Sequence, residues 1–359
     1  MDLCTPDWAH KKERFEAYWE RQNTDRCCLA ITVANPNGKP VFPDRPFTWE
    51  QWYCDLRLIH EKMMNQQAMN DYLFESINAR LVDLGTAGHC RFFSAQPHYG
   101  DGTIWFFPTL DTPDSSTLIF DEDEFEKQKA FTQALVDQGQ GHYFIGMNDH
   151  CGIIDSLAHL RGTETLLMDM IEEPEFVHEA RNTITKAWIR TQKEFFDIIK
   201  DNNHGGSSHA WMHLWSPRRH LQLQCDYSCM ISPAMFEEFV LPELEETSAA
   251  FEHISYHLDG VEQLRHLDMI LSVPGISNIQ WTRVAGQPKT SANIEALIKI
   301  QKAGKGLVLF PDLDEVEFLL KNLDPRGVQM VIGGVKDHEE AADIEKLARK
   351  MAKERSITQ

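Results

Sequence analysis

The chain has 359 residues, 42% of them hydrophobic and 25% charged, an ordinary composition for a soluble globular protein. Its longest apolar runs fall well short of the roughly 18 residues a membrane helix needs, so no span is predicted. The formal charge of −20 argues against nucleic acid and against anionic membrane surfaces as partners, both of which demand a basic face, while still permitting a locally basic pocket for a small ligand.

The start, Met1-Asp2-Leu3-Cys4-Thr5-Pro6-Asp7, has no basic stretch followed by an apolar one, so a secretory signal is not expected. The eight cysteines (4, 27, 28, 54, 90, 151, 225 and 229) follow no disulfide-framework spacing and include no C-x-x-C pair. They read as reduced thiols in a cytoplasmic protein.

A first helix is predicted over residues 8–19, where Trp8, Phe15, Tyr18 and Trp19 form an apolar stripe suited to packing on a core. Short apolar or β-branched runs then alternate with longer helical patterns. Strands are expected at 29–34, 80–84, 142–147, 209–214, 254–257, 276–281, 306–310 and 328–332. Helices are expected at 52–77, 164–199, 233–251, 291–303, 313–322 and 339–355. Eight strands each followed by helical sequence predict an α/β fold, a single (β/α)8 TIM barrel, with all of residues 1–359 in one domain. The extended loop region around 85–124 is rich in Gly, Pro, Asp and aromatics, and holds His89, Cys90, His98, Trp105, Phe106 and Phe107. It reads either as a roof over the barrel mouth or as an excursion packed on neighbouring helices.

In such a barrel the chemistry gathers at the C-terminal ends of the strands. There the sequence places Asn148-Asp149-His150-Cys151, His213-Leu214-Trp215, His257 and Asp259, Gln280 and Trp281, Pro311 and Asp312, and Gly333-Gly334. His257 and Asp259, two residues apart before Gly260, share one side of their strand. They read as part of a metal site, as an acid/base pair, or as a buried His holding the rim. Asp226 lies in a turn ahead of a helix started by Ser232 and Pro233. It is either a pocket carboxylate or a loop-ordering Asp.

Two blocks, Gln224–Pro242 and Tyr256–Gly260, resemble the uroporphyrinogen decarboxylase superfamily, in the branch that includes corrinoid-dependent methyltransferases. The likeness extends through Leu157–Glu175, the long helix around Trp188, Ile279-Gln280-Trp281 and Gln301–Lys305. Where the decarboxylases carry an Arg-rich carboxylate grip, this chain has Glu20–Arg26 without that motif, and Arg283 is its main candidate cation. Where thiol-alkylating members hold zinc with His-x-Cys and a later Cys, it has His257-x-Asp259 and no Cys beyond Cys229.

The resemblance therefore implies a methyltransferase that takes a methyl group from a small donor, such as an aryl ether, onto a corrinoid carried by a separate protein. On that reading His257, Asp259 and Asp226 are catalytic. Zinc, where held, sits on His257 and Asp259, with Cys225 as a weaker ligand, or with His213 or Cys151 if the fold brings them close. Trp281, Gln280, Trp215, His213, Tyr227 and Asn148 line the substrate pocket, with Trp105 and Trp211 adding aromatic surface. A homo-oligomer is compatible with the resemblance. The alternatives are a cofactor-free decarboxylase or lyase of a small substrate, and a non-catalytic binder of a corrinoid or tetrapyrrole.

Overall fold

The computed structural model describes residues 7–148 and 151–358; Asp149 and His150, singled out above, lie outside the described residues. Its centre is a seven-stranded, mostly parallel sheet covered by helices, an α/β architecture. The strands in the first half are β1 (Cys28–Ala34), β2 (Asn70–Phe74), β3 (Ala79–Leu81), β4 (His98–Gly100), β5 (Thr103–Trp105) and β6 (Phe144–Gly146). Those in the second half are β7 (Ser207–His209), β8 (Leu214–Ser216), β9 (His220–Gln224), β10 (His253–Asp259), β11 (Asn278–Thr282), β12 (Gly306–Leu309) and β13 (Val328–Ile332). The large sheet runs β2-β1-β13-β12-β11-β10-β9, and β2 is its antiparallel member. β3 and β6 form a separate parallel pair. The ladders among the described residues thus end at β2 and β9 and do not close a ring.

Several predicted elements divide where local chemistry interrupts them. The helix expected over 52–77 is two helices, Trp49–Cys54 and Leu56–Met69, because the Asp55 side chain accepts from the Leu58 amide (3.1 Å) and starts a new helix. Its expected last turns are instead β2, drawn into an antiparallel ladder with β1. The helix expected over 164–199 breaks before Pro174, which has no N–H to continue it. Pro242 does the same to the helix expected over 233–251, and a wide turn with π-type bonding occupies Phe236–Val240. The strand expected over 209–214 does not exist. β7 stops at His209, His213 takes a left-handed conformation (φ 46°), and β8 returns antiparallel to β7. β9, a polar alternation of His and Gln with Leu, joins the sheet in its place.

The 85–124 region contributes to the core as well as to the surface. Cys90, Phe92, Phe93, Ile104 and Phe106 are buried in the main apolar cluster, while Trp105 and Phe107 are each 57% exposed on the β4–β5 hairpin and just after it.

Alternation along β9, β10 and β11 separates two faces. Leu221, Leu223, Ile254, Tyr256, Leu258, Ile279 and Trp281 point into the main apolar core. In register with one another on the other face are Gln222 with Ser255, Gln224 with His257, and His257 with Gln280. The N-terminal helix α1 (Trp8–Trp19) packs Phe15 and Tyr18 against Cys28, Val308 and Trp215, and the Asn278 amide donates to Tyr18 Oη (2.9 Å). Fully buried Glu75 anchors the start of β1: it accepts from Arg26 Nη1 (2.7 Å), Arg26 Nη2 (2.9 Å), Arg14 Nε (3.3 Å) and the Leu29 amide (2.7 Å). No helix among the described residues is long and apolar enough to cross a membrane.

Candidate metal centre

The parallel strands β9 and β10 deliver the site. β10 puts His257 and Asp259 on the polar face, roughly 6.6 Å apart along the strand, and His257 Nε2 lies 3.9 Å from Asp259 Oδ1. β9 ends at Gln224, and the next turn carries Asp226. Donor atoms of Asp226, His257 and Asp259 all lie within 4.8 Å of one another, and each residue is partly open to solvent.

The turn is held from below. Buried Asp155, in the first turn of the helix Ile153–Arg161, accepts from the amides of Asp226 (3.0 Å), Tyr227 (2.8 Å) and Gly152 (3.1 Å). Burial raises the Asp155 carboxyl above the usual range, and these amide bonds pull the other way. Gly152 is required for the close approach, since a Cβ there would meet the Gln224 carbonyl at 2.0 Å.

His257 has its protonation pattern set by a neighbour. Gln280 donates its Nε2 to Thr282 Oγ1 (2.9 Å), which turns its Oε1 onto His257 Nδ1 in a short hydrogen bond. An amide oxygen can only accept, so Nδ1 carries the proton of the neutral ring. Nε2, on the side of Asp259, then keeps its lone pair, the state in which imidazole binds a metal. Gln224 likewise donates its Nε2 to Asp226 Oδ2 (2.8 Å) while its Oε1 accepts from Gln222 Nε2 (2.6 Å).

One imidazole nitrogen and two carboxylates suit a divalent ion of hard or borderline character, such as zinc. With three protein ligands, a bound ion would keep a coordination position for substrate or water, as reactive rather than structural centres do. Without an ion, the same His and Asp make an acid/base pair.

Of the other residues singled out from sequence, Gln280 sits on the site face, where it orients His257. Trp281, its neighbour, must point the opposite way, and it is 1% exposed inside the apolar core. Trp215 is likewise off the site: β8 turns it into the packing of Phe15 and Trp8, and its indole donates to the Asn203 carbonyl (2.9 Å). His213 is held by the β2–β3 connection, accepting at Nδ1 from the Ile77 amide (3.4 Å), and burial pushes its pKa down to about 4. The Tyr227 hydroxyl donates to the Thr163 carbonyl (2.8 Å), away from the three-residue group. The Cys225 thiol is buried, its pKa is driven well above the ordinary value by burial, and it is not one of the three converging groups. Asn148 is buried at the end of a described segment, and neither amide atom has a hydrogen-bond partner among the described residues. Arg283 pairs with Asp312 on the exposed rim (2.8 Å).

Sequence reading missed His209, Asp155, Gln224 and Gln263. His209 is fully buried, neither ring nitrogen has a hydrogen-bond partner, and burial next to His257 lowers its pKa to about 3. Trp211 stands between them, its ring centre 5.3 Å from that of His209 and 5.9 Å from that of His257. Phe310 flanks the indole at 5.6 Å. The polar period-two pattern of His220-Leu221-Gln222-Leu223-Gln224 is the signal that would have revealed β9 and its Gln.

Fold and site together define an α/β protein with a candidate divalent-metal centre at the C-terminal edge of parallel strands. No family model and no curated protein matches the chain. Among solved structures it is similar to a methyltransferase from Methanosarcina mazei, with a TM-score of 0.58 at 11% identity over 96% of this chain and 98% of that one. At that identity the likeness concerns the fold alone.

Proposed function

We propose that this protein is a methyltransferase whose reaction centre is the Asp226–His257–Asp259 group. The proposal extends to a closed (β/α)8 barrel, to the corrinoid-linked branch of the uroporphyrinogen decarboxylase superfamily, and to a cytoplasmic setting with a separate corrinoid protein as methyl acceptor. The observation that carries it is the His257 tautomer: Gln280 keeps the proton on Nδ1 and leaves Nε2 bare beside two carboxylates. Fold similarity to a methyltransferase supports the same reading.

His257, Asp259 and Asp226 would hold zinc. When bound, zinc supplies Lewis acidity that polarises the leaving oxygen or nitrogen of a methyl donor. Trp211 and Phe310 offer an apolar wall against which the donor's body packs and water is excluded. Asp155 and Gln224 fix where the Asp226 carboxylate stands.

The test is elemental analysis of the purified protein beside His257→Ala and Asp226→Asn variants, followed by a screen of methyl donors with a corrinoid present. Near one zinc per chain, lost in both variants, supports the reading. Metal-free protein in every sample would sink it and favour the acid/base pair of a decarboxylase or lyase.

A further inference from the structure

The β9–β10 ladder stops abruptly at the site, and one side chain occupies the place of its next bond. Odd-numbered residues of β10 face β9: the His253 amide donates to the Arg219 carbonyl (3.1 Å), and the ladder pairs His257 with Gln224. Even-numbered residues face β11, where the Gly260 amide donates to the Thr282 carbonyl (3.2 Å). Continued in register, the ladder would join the Asp259 amide directly to the Cys225 carbonyl. The structure inserts Gln263 there. Its Oε1 accepts from the Asp259 amide (3.2 Å), and its Nε2 donates to the Cys225 carbonyl (3.1 Å).

We infer that Gln263 is a positioning residue, an amide spacer that holds β9 and β10 apart by one peptide-like unit and thereby sets the gap between Asp226 and Asp259. Asp226 follows Cys225 directly, so the spacer acts on the backbone of both carboxylate-bearing residues. Asp155 pins the Asp226 side to the helix beneath, which leaves Gln263 as the link that fixes Asp259 against it. Gln263 is 1% exposed, so it bridges without competing water, and both of its bonds at the site go to backbone groups. Its donor and acceptor must point opposite ways, which an amide satisfies and a carboxylate does not.

The role is read on the backbone, while its consequence for metal rests on the proposed function. Two measurements on the full chain separate these: Co2+ titration by visible absorption, and hydrogen exchange of peptides covering 225–230 and 257–262. Gln263→Ala should weaken Co2+ at least tenfold, in the range that supporting residues of metal sites show, and should speed exchange at Asp259 at least tenfold. Gln263→Glu keeps the acceptor but loses the donor to Cys225, so it should show the same changes in smaller degree; it also serves if the alanine variant does not fold. Lys305→Met is the stability control. It removes bonds to the Val273 (2.9 Å) and Ile276 (2.7 Å) carbonyls at the far end of the sheet and should leave both readouts unchanged. Wild-type exchange at Asp259 in both Gln263 variants would overturn the spacer. Should the wild type bind no Co2+, the metal reading fails and the exchange comparison alone decides the spacer.

Discussion

Lowering the pH from 7 to 5 should destabilise the protein steeply, and the cause lies chiefly in five histidines. His89, His209, His213, His220 and His253 are all pushed down chiefly by burial: His89 and His209 to about 3, His213 and His253 to about 4, and His220 well below its ordinary value. The unfolded chain protonates each near pH 6.5 while the fold resists, so the unfolded state binds more protons as pH falls. Each group's stability is present above pH 6.5 and is lost as pH drops toward the folded value. The loss is at most about 1.4 kcal/mol per histidine per pH unit, so the five together remove on the order of 8 kcal/mol between pH 6.5 and 5. Asp155 and Glu243, raised by burial, act with the opposite sign, because the folded chain takes up their protons first. A net loss of about 4–8 kcal/mol rivals the whole stability of a typical protein, about 5–15 kcal/mol. Urea midpoints at pH 7, 6 and 5 would read this slope directly. His209→Leu isolates one contributor, since no partner of His209 is lost, and it should flatten the slope by about 1.4 kcal/mol per pH unit. A midpoint that holds constant from pH 7 to 5, or an unchanged slope in His209→Leu, would mean that the buried histidines do not set the acid response.

Glu75→Gln removes the buried charge shared by Arg26 and Arg14, leaving Arg26 only its Nε ion pair with Glu345 (3.2 Å), and should cost about 3–5 kcal/mol in urea denaturation. Gln280→Met releases the tautomer lock on His257 and should weaken Co2+ binding by about 10- to 100-fold, read by visible absorption. Trp281→Phe, on the opposite face of the same strand, should lower the melting temperature and leave Co2+ affinity unchanged. Gly152→Ala forces a Cβ against the Gln224 carbonyl and should both destabilise the protein and weaken Co2+ binding through Asp226.

The strands that sequence marked well, β1 and β10 to β13, are those with apolar residues on the core face and sharp turns at their ends. β9 escaped because its alternation of His and Gln with Leu resembles a polar loop in sequence, although the fold buries all five residues. The 209–214 run looked like a strand because His, Ala, Trp, Met and Leu suit one, yet the left-handed His213 turns it back. His257, Asp259 and Asp226 were readable because two sit on one strand at period two and the third opens the turn beside a helix start. Trp281 and Gln280 could not both line a pocket, since neighbours on a strand face opposite sides. Asp155 lies 71 residues from Asp226, and Gln263, though four residues after Asp259, reaches 38 residues back to Cys225, so only the tertiary fold reveals the backbone groups they hold.

The polar face of β9 to β11 is a poor choice for stability and a good one for chemistry. Gln222 and His220 each leave one buried polar atom unpartnered among the described residues, at about 1–3 kcal/mol apiece, although their other atoms bond Gln224 (2.6 Å) and Ser255 (2.6 Å). The same face supplies Gln224 to Asp226 and Gln280 to His257, and its continuation supplies Gln263 to the backbone between them. A hydrocarbon layer could carry none of these contacts, and His257 would then be free to place its proton on Nε2, toward Asp259. Two of the histidines behind the acid sensitivity, His220 and His253, stand on β9 and β10, so the strands that set the metal-ready tautomer also carry part of the protein's loss of stability in acid.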